Sequence, residues 1–405
     1  MLYATKKVGC TIMSYKVTLL SSMPLTVGSG LRFWNFARIL SQGNNEISII
    51  SPKSDLNLLP PFGKSLPRGI KVEFVKGGIP PNQFIPVSIH SFTASLASIR
   101  SESDFFHVSA VGRPPMALSA IVRKVSKGGR LIIDWDDMFG FSWKEGTPVL
   151  KVGNRLAFFS QNKVTKIADA VTVTSDSLAK AAISLGVREG RVFKLWNPCD
   201  TETFRLFDKT NCRAQFRIPD GFCIGVVGYP LPDGTNASAF INLLKAFADF
   251  LHIAPKSWLM MIGDRNIHPS YEPLLEKIRD RVLDIGRVPI RHIPKLLRAA
   301  DILYLLMENN IMDAARWPMR FSDYLSSGRP IVCPAFGEVK FVLDKYSCGL
   351  KTYTSSEILN ALELIYFNPD VGDKLGKLAR SVAERDLSFA ALRFQIKRLY
   401  TEVDY

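Results

Sequence analysis

The residues best suited to chemistry fall into a few short stretches of this 405-residue chain. In Trp317–Pro330 (WPMRFSDYLSSGRP), Arg320 and Asp323 stand three apart and would share one face of a helix. A guanidinium pairs bidentately with phosphate oxygens, and a carboxylate near a helix start accepts sugar or ribose hydroxyls. Arg316, one turn earlier, adds a second positive charge. An exposed i,i+3 salt bridge is the plainer account of Arg320 and Asp323, and it would contribute little. Gly28-Ser29-Gly30 follow an apolar run; lacking Cβ, the glycines let backbone N–H groups approach a phosphate at a helix N-terminus. An ordinary tight turn between strand and helix explains them equally well. Asp134-Trp135-Asp136-Asp137 come directly after another apolar run, where loops meet a sheet edge. Their spacing also suits a divalent ion, and Asp134 alone would serve as a strand-end cap. Asp136 and Asp137 are the better placed to act on a substrate. The five histidines have no metal-ligand spacing, and His107, inside an apolar run, reads as a core residue.

The elements that must position these residues are legible in the apolar pattern. Strand-length runs occur at Tyr15–Ser21, Ile47–Ser51, Ile70–Val75, Phe105–Ser109, Leu131–Asp134 and Ala170–Thr174, separated by helical stretches. Leu31–Gln42 reads as one such helix, with Gly43 at its C′ position. A break at Asn197-Pro198-Cys199-Asp200 precedes a second series: strands at Phe222–Gly228, Trp258–Gly263, Asp301–Leu306 and Pro330–Cys333, with helices at Ala239–Leu251, Pro294–Ala300 and ending at Asp323–Ser327. This alternation predicts an α/β fold of two doubly wound domains facing a cleft. The expected division is 1–200, 201–386 and a terminal helix in 387–405, with Phe389, Leu392, Ile396 and Leu399 at helical spacing.

Composition narrows the class further. At 47% hydrophobic and 22% charged residues, the chain is neither disordered nor a disulfide framework. No apolar run approaches the ~18 residues that cross a bilayer, and no signal-peptide core follows Lys6 and Lys7. The six cysteines form no CxxC pair and read as reduced thiols of a cytoplasmic protein. The sequon Asn236-Ala237-Ser238 would then stay unmodified. Up to Asn197 there are 25 Lys and Arg against 12 Asp and Glu, and after it 27 against 25. Almost all of the net +15 therefore belongs to the first half, which fits an anionic partner or a merely soluble basic surface. Gly112–Arg130 carries Met116, Leu118, Ile121, Val122 and Val125 beside Arg123, Lys124, Lys127 and Arg130, and Phe84, Ile85, Ile89, Phe92 and Leu96 offer a second apolar face. Such stripes suit an anionic membrane surface, or the core-facing side of ordinary helices. No nucleic-acid module is present.

Eight pieces in order resemble the retaining GT4-like (group 1) glycosyltransferases of GT-B fold: Gly28-Ser29-Gly30-Leu31-Arg32, Asp104–Val108, Ala168–Ser175, Val192–Asp200 with Phe204, Gly228 at a strand end, Ile262-Gly263-Asp264, Ala300-Asp301-Ile302, and Trp317–Pro330. The resemblance runs from about residue 15 to 403. It implies two Rossmann-like domains and metal-independent transfer of a hexose-type sugar from a nucleotide-diphosphate sugar, with no further cofactor. It also implies a glycan or lipid-linked acceptor of polysaccharide biosynthesis, a cytoplasmic or peripheral membrane location, and a last helix that crosses back to brace the hinge. Carried over by position, the donor would meet Gly28, Ser29, Gly30, Gly228, Gly263, Asp264, Arg316, Arg320, Asp323, Gly337 and Glu338. Asp136, Asp137 and Arg320 would be catalytic, and no metal is implied. Three departures stand out. No Arg and Lys follow Gly228, the first acid of the donor motif falls at Ala315, and the acceptor-side histidine is replaced near Asp136. Arg316 and Arg320 are the candidates to take the diphosphate, and Asp313 the candidate to replace the acid. A non-catalytic partner subunit and a nucleotide-sugar epimerase of the same fold are the alternatives.

Overall fold

The structure, a computed structural model, describes residues 14–62, 65–75, 89–109, 111–112, 114–126, 129–137, 148–231, 235–266 and 268–404. The first sheet contains β1 (Lys16–Leu20), β2 (Glu46–Pro52), β3 (Ile70–Val75), β4 (Phe105–Ser109), β5 (Arg130–Trp135), β6 (Ala170–Val173) and β7 (Val192–Lys194). The second contains β8 (Cys223–Val227), β9 (Trp258–Ile262), β10 (Val282–Gly286), β11 (Ile302–Tyr304), β12 (Ile331–Cys333) and β13 (Gly349–Lys351). Their orders are β3-β2-β1-β4-β5-β6-β7 and β10-β9-β8-β11-β12-β13, and the pairs are parallel. Each order reverses beside its first strand, and the crevice at that point is where doubly wound sheets take ligands.

Burial on both faces explains why the strands read as continuous apolar runs. Ile132 and Ile133 of β5 point to opposite faces and join different core clusters, and both are fully buried. Three strands, β7, β10 and β13, had no counterpart in the apolar pattern. They lie at sheet edges and their residues are half-buried or exposed, so no apolar run marks them.

Two local expectations are corrected. Gly28, Ser29 and Gly30 are not a loop but the first turn of the helix Gly28–Leu40. Gly30 is required there because a Cβ would stand 2.1 Å from the Pro24 carbonyl oxygen. At the other end Ser41 closes the helix, and Gly43 sits in the following turn without a left-handed φ.

The last helix, Phe389–Asp404, packs Leu392, Ile396, Leu399 and Tyr400 into the core beneath the first sheet. The chain reaches it beside the linker, where the Cys199 N–H donates to the Leu387 carbonyl at 2.8 Å. Arg38 and Asp200 form a buried ion pair next to this crossing. Among the described residues the five cysteines are buried free thiols; Cys10 lies outside them.

The basic stripe of the first half is divided between core and surface. Met116 faces the core, whereas Leu118, Ile121 and Val125 are exposed. Two of the expected cations are spent internally: Arg123 donates to the Ser101 and Ser103 carbonyls, and Lys124 pairs with Asp169. Leu96 is exposed, while Lys127, Phe84 and Ile85 lie outside the described residues. Among those residues no helix is long and apolar enough to cross a membrane.

Candidate functional site

A pocket of about 190 Å³ opens between the two domains. Gly28, Arg32, Asp136, Asp137 and Asn197 line it from the first domain and linker, and Arg316–Arg320 from the second. Gly28 begins its helix at the pocket with φ +47°, so the open N-terminal end of the helix lies beside the cavity, although the Gly30 N–H is already donated to the Val27 carbonyl at 3.1 Å. Ser29 and Gly30 are buried just beneath it.

Asp134 is consumed by structure. Its carboxylate takes two hydrogen bonds from Arg32, both at 3.0 Å, and one from the Thr172 hydroxyl at 2.5 Å. Because that hydroxyl donates to Asp134, its oxygen accepts from His107 Nε2 at 3.1 Å, and His107 Nδ1 then accepts from the Tyr400 hydroxyl at 3.0 Å. Burial lowers the His107 pKa to about 4, so the ring is a neutral relay within the core, as its apolar neighbours implied. Arg32 also donates to the Asn197 side-chain oxygen at 2.8 Å and to the Leu195 carbonyl at 2.9 Å.

Asp136 behaves differently. Its Oδ1 is buried and has no hydrogen-bond partner among the described residues. Burial, then the charges of Asp134 and Asp137, raise its pKa to about 7. On the opposite wall Arg316 is ion-paired through Nη2 to the buried Asp313, while its Nε is buried without a partner among the described residues. Two polar atoms of opposite character, one from each domain, are therefore left unsatisfied around one pocket. An unpaired buried donor or acceptor costs about 1–3 kcal/mol, a cost that a ligand meeting both would relieve.

Arg320 lies on the helix Met319–Ser327 and donates to the Val227 carbonyl at the end of β8. Gly228 beside it has φ +85°, a left-handed backbone that favours glycine, and the Arg320 guanidinium lies close against it. Burial lowers the Arg320 pKa, and among the described residues no carboxylate lies within 4.0 Å of it. The surface salt bridge between Arg320 and Asp323 is thus not formed. Asp323 is half-buried, and burial followed by the Asp200 charge raises its pKa to about 7.

The remaining candidates sit further away. Gly263 abuts Gly228, where an added Cβ would lie 3.3 Å from the Gly228 Cα, and Asp264 is exposed and faces Arg287 at 3.7 Å. Asp313, the candidate replacement acid, is held by Arg316 and by the Glu308 N–H at 2.7 Å. Gly337 has φ +52° and presses on the Ala314 carbonyl. Glu338 is buried, but its partners belong to the first domain: the Asp176 N–H and Trp196 Nε1, both at 2.8 Å. The residues that sequence reasoning did not single out are Arg32, Asn197 and Trp317. All three lay inside quoted motifs, but only the fold brings them to one pocket. Asn197 Nδ2 donates to the Trp317 carbonyl at 2.9 Å, which ties the linker to the loop carrying Arg316. Among the described residues no cluster of His, Cys, Asp or Glu could hold a metal ion.

Comparison with solved structures identifies the architecture. The chain is similar to sucrose-phosphate synthase from Thermosynechococcus elongatus, with a TM-score of 0.75 at 15% identity over 96% of this chain and 99% of that one. Anabaena HepE in complex with UDP-glucose matches with a TM-score of 0.72 at 15% identity, over 96% and 100%. A putative UDP-N-acetylglucosamine 2-epimerase from Listeria monocytogenes matches with a TM-score of 0.63 at 10% identity, over 97% and 96%. The fold is therefore GT-B, two Rossmann-like domains facing a central cleft. No family model and no curated sequence matches the chain.

Proposed function

We propose that this protein is a retaining glycosyltransferase that moves a hexose-type sugar from a nucleotide-diphosphate sugar to a glycan or lipid-linked acceptor. The observation that carries the reading is the pair of unsatisfied groups around the cleft pocket, Asp136 Oδ1 from the first domain and Arg316 Nε from the second. A departing diphosphate develops negative charge, and pre-aimed donors that meet it supply much of the catalysis in such transfers. Arg316, Arg320 and the helix N-terminus at Gly28 are the donors at hand, which supports them as substitutes for the cations missing after Gly228. Asp136, with Asp137 beside it, is the group to orient an acceptor hydroxyl and receive its proton. Gly228, Gly263, Asp264 and Asp323 would shape the nucleotide side of the cleft. Metal independence, the GT4-like class and a cytoplasmic location belong to the same reading. Leu118, Ile121 and Val125 would seat the first domain on a membrane bearing the acceptor. HepE was solved with UDP-glucose, which makes uridine nucleotides the first donors to try.

A second reading is favoured by the epimerase-like neighbour and by the loop after Gly228, which lacks the Arg and Lys that relatives carry: turnover of the nucleotide sugar itself, without an acceptor. The deciding experiment is proton NMR of the purified protein with UDP-hexoses, with and without a lipid-linked or oligosaccharide acceptor. A transferred sugar that keeps the donor's anomeric configuration supports the proposal. Inversion refutes retention, and an epimerised sugar nucleotide formed without acceptor establishes the second reading.

A further inference from the structure

We propose that Glu338 is a positioning residue that latches the two domains in register, and that its carboxylate is not a donor ligand. Glu338 is the second residue of the helix Gly337–Tyr346, where a side-chain carboxylate ordinarily faces its own helix N-terminus. Here it reaches across the cleft instead. Oε1 accepts the backbone N–H of Asp176, the first residue of the helix Asp176–Ser184, at 2.8 Å. Oε2 accepts Trp196 Nε1 at 2.8 Å, and Lys194 Nζ stands 3.6 Å away. One carboxylate, 4% exposed, thus sits between the N-termini of two helices from different domains, and both helix dipoles favour its charge. Trp196 in turn stacks on Trp317 with ring centroids 5.1 Å apart.

The latch connects to the pocket through backbone packing. A Cβ on Gly337 would lie 1.9 Å from the Ala314 carbonyl oxygen, so the Glu338 helix is seated directly on the short helix Ile311–Ala315 that precedes Arg316. Ala315 itself is buried in a core cluster of the first domain. Parting the domains would break the carboxylate's contacts and withdraw Arg316 from Asp136 together. As a consequence for catalysis this rests on the proposed function, but the latch itself does not.

The test measures the latch without any substrate. Two variants remove it from opposite sides: Glu338→Ala deletes the carboxylate, and Asp176→Pro deletes the N–H it binds. Proline is well tolerated at a helix's first position, and Ser175 before it is already extended, with φ −149° and ψ 161°. In each variant the radius of gyration in solution scattering should rise. Amide exchange at the start of the helix Asp176–Ser184 should quicken by roughly tenfold in Glu338→Ala, the scale of losing hydrogen bonds to a charged group. Glu338→Gln, which keeps one acceptor, should fall between. If the nucleotide sugar binds, KM should rise more than kcat falls in both latch variants. Folded variants with unchanged radius and exchange would overturn the latch. Wild-type protein that binds no nucleotide sugar, but whose variants open, would overturn the proposed function and leave the latch standing.

Discussion

Asp136 carries the sharpest residue-scale consequence, because its pKa is raised to about 7 by burial and by its two acidic neighbours. A carboxyl whose pKa is higher folded than unfolded binds its proton preferentially in the native state. Its effect on stability is therefore nil below about pH 4 and becomes a growing penalty as pH rises toward 7. Asp136→Asn should raise stability at pH 8 by about 1–2 kcal/mol, less than the full shift implies because the pocket is open to water. At pH 4 it should change little; chemical denaturation at the two pH values checks this. Transfer activity should fall at least tenfold in the same variant and, in the wild type, rise with pH through about 7 as the carboxylate forms. These residues were legible as chemistry but not as a constellation. Asp134 and Asp136 belong to one tetrad of the sequence, yet one is saturated by Arg32 and Thr172 and the other is left open. That distinction is made by side chains over thirty residues away, which no local spacing encodes.

At the scale of elements, the central strands could be read because burial on both faces demands unbroken apolar runs. The edge strands β7, β10 and β13 could not, because their half-exposed residues leave no periodic trace and hydrogen bonding to a neighbour defines them. Glycines tell a similar story. The spacing of Gly28-Ser29-Gly30 marks a boundary between strand and helix, but their place inside the helix depends on the Pro24 carbonyl that packs against Gly30. Gly30→Ala should cost about 3 kcal/mol, because the obstacle is backbone rather than a side chain that can turn away. Its loss of stability in a denaturant titration should exceed that of Gly190→Ala, where a Cβ meets nothing within 4 Å.

The whole molecule is held together by more than a linker. A buried chain of hydrogen bonds runs from Tyr400 on the last helix through His107, Thr172 and Asp134 to Arg32 and Asn197, and from there to the Trp317 carbonyl of the second domain. Tyr400→Phe removes one hydroxyl and strands His107 Nδ1 in the core, at an expected cost of about 1–3 kcal/mol. Thermal unfolding should report that loss, with nucleotide affinity little altered because the ring still fills its place. On the proposed function, the cleft between the domains binds a nucleotide-diphosphate sugar through Arg316 and Arg320. Its most direct test is the melting temperature of the protein against a panel of nucleotide diphosphates and nucleotide sugars, with and without magnesium. A ligand that binds only the folded form stabilises it by about 2.7 kcal/mol at a hundredfold excess over its Kd. Such a rise is expected with one nucleotide class, unchanged by magnesium and abolished in Arg320→Ala. No rise with any of them, or a rise that Arg320→Ala leaves intact, would contradict it.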